Sequence, residues 1–331
     1  MRLPMRGLLL LMSLLVHPLS AAGAELQDAT GRSIRVPDQP VRVLPAGPPA
    51  AVLLAALAPG LMLGWPHAPS PATRVWLPDT TVGLPTVPML TGRQDATDQV
   101  VALHPDLILD YGTISPRYAQ LIEAVQAKTG IPAVLLDGAL PKTPQVLRAL
   151  GIALHREDRG ELLARQAEAI LAAVPASRGA APRVYYGRGP DGLVGNPGSG
   201  AAEVFALLGW QVLTPEASGT PSRTSIEAIT ALDPDVLIFQ SAGMRNVVAE
   251  SSRWRALRAV REHHAYVAPD VPFGWLDEPP SINRLLGLAV LSARGGGAVG
   301  LAASFNATVY GRAPTPAQLD ALRESLRPLT P

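Results

Sequence analysis

The sequence has 331 residues, of which 47% are hydrophobic and 17% charged, so it is long enough to bury one or two large cores. Its formal net charge is +1 and it contains no basic tract, which argues against a nucleic-acid-binding protein. The absence of cysteine excludes disulfides, thiolate metal sites and a lipid-bearing cysteine.

The first 24 residues are typical of a secretory signal peptide. Arg2 and Arg6 precede an apolar run over 8–16, and Ala22 and Ala24 flank a glycine at a small-residue cleavage site. The run is shorter than the roughly 20 residues of a membrane-spanning helix, and no later stretch offers one. The sequence therefore predicts a soluble exported protein, located in the periplasm of a Gram-negative cell and not a lipoprotein.

The predicted N-terminal lobe, residues 25–155, alternates short apolar strands with helices. Its predicted strands are 41–44, 61–65, 107–110 and 133–136. Its predicted helices are 50–57, 116–129 and a third that begins at Thr143. The stretch 66–88 is rich in proline and is predicted to be irregular, and irregular stretches of this length are usually functional or disordered.

One motif occurs twice, in residues 98–110 and 227–239. Each copy has an acid, then Ala-Leu, one variable residue, Pro-Asp and an apolar run. Pro105 and Pro234 stop a short amphipathic helix, and the unbroken apolar run that follows is typical of a strand covered on both faces. Because the copies lie about 129 residues apart, they indicate two similar lobes rather than a solenoid.

The two lobes are predicted to be joined by one long helix over 156–175. This stretch contains no proline before residue 175 and places leucine and alanine residues near helical spacing. The C-terminal lobe, 176–331, then repeats the order of the first, with strands at 183–186, 210–213, 236–239 and 265–268. Helices are expected at 202–208 and 254–261, from Ser281, and after a capping box at Thr315 and Gln318. The predicted fold is α/β, with two Rossmann-like lobes and parallel sheets.

Ligands of open parallel sheets bind beyond the carboxyl ends of the strands, and facing lobes would bring the loops at those ends to one cleft. These loops are rich in aromatic and arginine side chains, which suit a bulky, partly anionic ligand. The candidate ligand-binding residues are Trp65, Tyr111, Tyr185, Tyr186, Arg188, Arg245 and Trp275.

Each candidate also has a structural interpretation. Adjacent residues of a strand point to opposite faces, so at most one of Tyr185 and Tyr186 is expected to face the ligand. Trp275 is either a ligand contact or a packing residue between the lobes. Arg188 and Arg245 are either ligand contacts or solvated loop charges.

Catalytic and metal motifs are weak. His67 is the best metal candidate, but no second ligand shares its element, and a surface histidine is the simpler interpretation. The G-x-G-x-x-G match at 187–192 contains Pro190 and precedes no helix, which argues against dinucleotide binding. The adjacent acids Asp277 and Glu278 are interpreted as caps of the helix near Ser281. We therefore expect no enzyme, although a hydrolase or oxidoreductase using the same cleft and a ligand-free sensor remain alternatives.

The repeated motif, the turn at 128–132, the single interlobe helix and the 254–260 segment before a strand resemble the class III periplasmic binding proteins of iron-siderophore, haem and cobalamin ABC importers. The resemblance covers nearly the whole mature chain. Residues 185–193 and 272–281 are similar to a subgroup associated with iron, nickel-chelate or molybdate uptake. In such proteins an acid on each lobe docks onto the permease, and the matching positions are Asp98 and Glu203.

The resemblance implies a monomeric solute-binding protein that captures an iron-siderophore-like metal chelate and delivers it to an inner-membrane ABC permease dimer. A metal oxoanion such as molybdate or tungstate, haem and cobalamin are alternative ligands. No protein-bound cofactor is expected, because the metal would belong to the ligand.

Overall fold

The computed structural model describes residues 24–90, 96–175, 180–195, 198–214, 221–293 and 296–330. The predicted signal peptide lies outside the described residues, except for Ala24. Within these ranges, no helix combines the length and apolar character needed to cross a membrane.

The strands are β1 Glu25–Gln27, β2 Ser33–Arg35, β3 Val43–Pro45, β4 Leu107–Gly112, β5 Ala133–Asp137, β6 Arg183–Arg188, β7 Val194–Gly195, β8 Gln211–Val212, β9 Ser222–Arg223, β10 Val236–Phe239 and β11 Ala265–Val267. The helices are α1 Pro48–Leu57, α2 Pro71–Arg74, α3 Asp79–Val82, α4 Thr97–Ala102, α5 Pro116–Thr129, α6 Thr143–Ala153, α7 Glu157–Ala172, α8 Gly200–Leu207, α9 Ile226–Leu232, α10 Met244–Glu250, α11 Ser252–Arg255, α12 Arg258–Arg261, α13 Arg284–Ser292, α14 Ala298–Tyr310 and α15 Pro316–Ser325.

The first sheet is parallel, in the order β3-β4-β5. Its strands are apolar on both faces because helices cover both: Leu107 and Leu109 belong to one core cluster, and Ile108 to another on the opposite face. Helix α1 is buried over its last eight residues, which explains why it carries no polar face. The carboxyl ends of these strands point toward the second lobe.

The second sheet has three parallel strands in the order β11-β10-β6. Two short strands, β7 and β8, pair with different parts of the free edge of β6. β8 pairs in parallel with the start of β6, and β7 pairs antiparallel with its end, at Gly187 and Arg188. β9 continues the sheet beyond β7. Both copies of the repeated motif therefore form a short helix followed by a buried parallel strand, α4 with β4 and α9 with β10, as predicted.

Several predicted elements differ from the structure. Residues 61–65 form no regular strand, and only isolated bridges pair Met62 with Val43 and Trp65 with Thr86. Gly64 lies against Pro85 there, so closely that a Cβ would meet the Pro85 oxygen at 2.4 Å. The predicted helix 254–261 is broken into α11 and α12, and the helix expected at Ser281 begins at Arg284. The β1–β2 hairpin, β7, β9, α10 and α14 were not predicted, and the stretch 66–88, predicted to be irregular, contains the short helices α2 and α3.

The long helix α7 joins the two sheets, close to its predicted position. It lies against α6 at a glycine pair, where a Cβ on Gly151 would be 3.1 Å from the Gly160 Cα. Arg159 of α7 donates from Nε to the Ala56 carbonyl, 2.9 Å away, and from Nη2 to the Val309 carbonyl, 2.6 Å away. Helices α13 and α14 thus return to α1 and α7, so the end of the chain contacts both lobes.

Candidate ligand-binding cleft

A cleft of about 770 Å³ lies between the lobes, at the carboxyl ends of the strands where the sequence places it. The first lobe contributes the start of α1, the segment 65–70 and Tyr118. The second lobe contributes Tyr186, Arg188, Gln240 and the segment 268–280, which we call the cleft segment. The volume falls in the usual range for small-molecule sites.

Aromatic side chains form the walls of the cleft. Trp65 and Phe273 face each other from the two lobes, with ring centroids 5.7 Å apart and planes tilted by 35°. Both tryptophans of the cleft satisfy their indole N–H within the protein: Trp65 donates to the Thr81 carbonyl at 2.8 Å, and Trp275 to the Val271 carbonyl at 2.9 Å. Both tryptophans are only 2% exposed and belong to the same core cluster, so their rings pack behind the cleft surface, whereas Phe273 is partly exposed.

The polar groups of the cleft are concentrated around one arginine. Arg188 donates to Gln240 Oε1 at 3.0 Å and to Glu278 Oε1 at 2.6 Å, and lies 3.9 Å from Asp277 Oδ2. Burial raises the pKa of Asp277, and the nearby Arg188 opposes that shift. Burial also raises the pKa of Tyr186, helped by the carboxylate of Asp277. The positive charge of Arg188 is therefore already balanced by carboxylates of the cleft itself.

The cleft segment is held in a strained and closely packed conformation. Gly274 admits no side chain, because a Cβ would lie 1.6 Å from the Asp277 carbonyl oxygen. Glu278 has φ 50, a left-handed value that side chains other than glycine rarely adopt. The Trp275 amide donates to the Pro269 carbonyl at 3.1 Å, and the Asn283 amide group donates to the Phe273 carbonyl at 3.2 Å. Such conformations persist only where the surroundings over-determine them.

Four of the seven candidate ligand-binding residues line the cleft: Trp65, Tyr186, Arg188 and Trp275. Tyr185 points to the opposite face of β6, is fully buried in a separate core cluster and donates to the Gly192 carbonyl. This placement follows from the alternation of side chains along a strand.

The structure corrects the placement of two further candidates. Tyr111 is 1% exposed in the core because β4 extends to Gly112, so the residue belongs to the strand and not to a loop. Arg245 lies on α10, and its guanidinium binds the carbonyls of Ser325 and Arg327 near the end of the chain. The structure brings neither side chain to the cleft.

His67 is exposed at the rim of the cleft. Among the described residues, no group of three or more histidine or acidic side chains could hold a metal ion. Asp98 is exposed in the first turn of α4. Glu203 is only partly exposed, and its carboxylate is paired with Arg284 and accepts the Leu140 amide at 2.8 Å.

Sequence reasoning did not include Phe273, Gln240, Asp277 and Glu278 in the candidate set. It assigned the two acids to helix capping, but α13 begins at Arg284 with no side-chain cap, and Asp277 accepts the amide of Glu278 instead. Gln240 and the cleft segment directly follow β10 and β11. The rule that ligands bind beyond the carboxyl ends of strands therefore contained the signal that could have identified these residues.

A family profile described as "Periplasmic binding protein" matches residues 67–272. A curated protein of Halobacterium salinarum, named "Cobalamin-binding protein", is 26% identical over 254 residues, 74% of this chain. The match spans 66% of the length of that relative.

Solved structures show the same fold. An ABC transporter solute-binding protein from Sulfurospirillum deleyianum superposes with a TM-score of 0.79 at 22% identity, covering 91% of this chain and 98% of the other. The molybdate periplasmic binding protein MolA of Haemophilus influenzae superposes with a TM-score of 0.67 at 14% identity, covering 88% and 99%. At these identities the similarity establishes the architecture of two lobes around a cleft.

Proposed function

Because the chain belongs to the periplasmic binding protein family, we propose that it captures a metal chelate in the interlobe cleft and delivers it to an inner-membrane ABC permease. Proteins of this family bind small-molecule ligands and work with such permeases. The ligand is a preformed chelate with broad apolar surface and a neutral or positive net charge. The periplasm is the compartment in which this delivery takes place.

The charge of the cleft carries the proposal. One arginine and three carboxylates, Asp270, Asp277 and Glu278, line it, so its net charge is −2 when all are ionised. Arg188 is already paired with Glu278 and is held by Gln240. A small oxoanion would need free donors and would be repelled by the carboxylates, so molybdate and tungstate are disfavoured.

The aromatic walls favour a ligand that brings its own metal donors. Within the described part of the chain, no cluster could coordinate a bare metal ion. The lining instead offers apolar faces, chiefly the partly exposed ring of Phe273 and the prolines at both sides of the cleft, with the nearly buried rings of Trp65 and Trp275 contributing little exposed surface. A macrocyclic chelate can bury its ring against such faces, and the name of the Halobacterium salinarum relative supports a corrinoid among the macrocycles.

The proposal is tested by titrating the mature protein with cyanocobalamin, haem, a ferric hydroxamate siderophore, a ferric catecholate siderophore, nickel–histidine and molybdate. Trp65 and Trp275 line the cleft, so intrinsic tryptophan fluorescence reports occupancy, and calorimetry gives the affinity. We expect saturable binding of a neutral or cationic chelate. Tighter binding of molybdate or of the polyanionic catecholate than of every neutral chelate would refute the proposed ligand class.

A charge variant separates this interpretation from adventitious binding. Glu278→Gln removes one carboxylate from the cleft and frees Arg188, so binding of molybdate should strengthen and binding of a cationic chelate should weaken, each by about fivefold. Glu250→Gln is the matched control, because Glu250 is an exposed acid of the same lobe that does not line the cleft. Equal effects of the two variants would show that the cleft carboxylates do not select the ligand.

A further inference from the structure

A polar network centred on Arg284 connects three segments that are distant in sequence. Arg284 is 4% exposed, and its guanidinium is paired with the Glu203 carboxylate of α8. Its Nη2 group donates to the Gly138 carbonyl of the first lobe at 2.5 Å. The second oxygen of Glu203 accepts the amide of Leu140, also in the first lobe, at 2.8 Å. Arg284 and Glu203, both in the second lobe, therefore each form a hydrogen bond to the backbone of the first lobe.

Hydrogen bonds and close backbone packing surround this network. A buried guanidinium is stable only when its donors are satisfied, and Arg284 also donates from Nε to the Ser281 carbonyl at 3.2 Å. Around it the backbones approach closely: a Cβ on Gly138 would lie 2.6 Å from the Gly112 Cα, and a Cβ on Gly200 would lie 2.6 Å from the Pro280 Cβ. Gly112 and Gly138 both belong to the first lobe, and Gly200 and Pro280 both belong to the second, so these contacts confine the backbone on each side of the network.

The network lies directly behind the wall of the cleft. Arg284 follows the cleft segment by four residues, and Pro280 borders both the cleft and a smaller cavity of about 370 Å³ that contains Glu203 and Arg284. On the other side, α13 contacts the same segment, since a Cβ on Gly287 would lie 2.1 Å from the Trp275 carbonyl oxygen. A shift of Arg284 would consequently move the residues that face the ligand.

We propose that Arg284 and Glu203 are positioning residues of the ligand site, forming a latch that fixes the separation of the two cleft walls. The latch holds the second-lobe wall against the loop after β5, so the cleft is shaped before the ligand arrives. This inference rests on the proposed function for its effect on affinity, but the geometry of the latch is independent of the ligand. It also assigns Glu203 an intramolecular role within this chain.

The test uses the absence of native cysteine, which allows clean labelling of an Ala72→Cys, Ala242→Cys protein with spin labels. Both alanines are exposed, one in α2 of the first lobe and one in the loop after β10 of the second. The distance distribution between the labels is measured in the full mature chain carrying Glu203→Gln or Arg284→Lys. We expect both substitutions to broaden the distribution or shift it to longer distances. For cyanocobalamin, we expect an affinity about tenfold lower, mainly through faster dissociation.

Glu161→Gln is the matched control, because it breaks an ion pair with Arg148 on the exposed surface between α6 and α7. This ion pair does not bridge the cleft. Thermal unfolding of all variants separates a loss of stability from a change in lobe geometry. An unchanged distance distribution in folded Glu203→Gln protein overturns the latch, whether or not cyanocobalamin binds. A broadened distribution with no binding of any chelate would support the latch and refute the proposed function instead.

Discussion

The substitution Gly287→Ala tests whether helix α13 positions the cleft segment that packs against it. Gly287 is buried in α13, and an added Cβ would lie 2.1 Å from the Trp275 carbonyl oxygen and 2.9 Å from its carbonyl carbon. No side-chain rotation relieves a clash with backbone, so either α13 or the cleft segment must move. Overpacking of this kind costs about 1–3 kcal/mol.

A glycine-to-alanine change also stabilises a helix, by up to about 1 kcal/mol, and the two effects oppose each other at position 287. Since the clash is with backbone at well under contact distance, we expect a net destabilisation of about 1–2 kcal/mol. In a chain of this size that lowers the melting temperature by roughly 2–4 °C. Ligand affinity should fall as well, because the displaced segment carries Trp275 and Asp277.

The control is Gly300→Ala in α14, an exposed helical position where an added Cβ meets nothing within 4 Å. Only the gain in helix propensity applies there, so this variant should be up to about 1 kcal/mol more stable than the wild type. Thermal and urea unfolding of the two variants measure the contrast. If Gly287→Ala were as stable as Gly300→Ala, the cleft segment would not be confined by α13 and the reasoning would fail.

Two further outcomes are expected. Burial raises the pKa of Asp110 from 3.8 to about 6, although the hydrogen bond from the Tyr111 amide opposes the shift. Between these two pH values the native state therefore holds a proton that the unfolded chain has lost. The free energy of unfolding should fall by up to about 3 kcal/mol as the pH rises from about 4 to about 6. Asp110→Asn should flatten this dependence in urea unfolding curves, and an unchanged pH profile would contradict it. Arg159→Met removes two charged hydrogen bonds to carbonyls of α1 and α14, so it should destabilise the protein by about 2–3 kcal/mol and increase hydrogen exchange in α14. Arg165→Met is the control. Arg165 lies on the exposed face of the same helix, and its replacement should change stability by less than about 0.5 kcal/mol.

Local signals identified most of the elements that build the lobes. The repeated Pro-Asp motif predicted β4 and β10, and the capping box at Thr315 predicted the start of α15. These predictions are confirmed because a proline, a cap or an unbroken apolar run acts on neighbouring residues in the chain. The segment 61–65 looked like a strand for the same reason, but Gly64 and its contact with Pro85 leave it with isolated bridges.

The assignment of side chains to the cleft was only partly accessible. Tyr185 and Tyr186 are identical side chains in one strand, so the sequence predicted that they point to opposite faces of the sheet. It did not predict which face meets the cleft, because that depends on which elements cover each face of the second sheet. Tyr111 was placed in a loop because its strand was predicted to end at residue 110, two residues before its observed end at Gly112. The ion pairs of Arg188 with Glu278 and of Arg284 with Glu203 join residues 90 and 81 positions apart.

The sequence by itself determined that this protein has two similar α/β lobes, one connecting helix and a ligand region at the ends of its parallel strands, because those features follow from short-range patterns of apolar residues, prolines and caps. Only the tertiary structure decided that the cleft is acidic, that its arginine is already neutralised and that a buried Arg284 joins the lobes. Burial and charge pairing depend on which distant segments meet, and a linear pattern carries no information about that meeting.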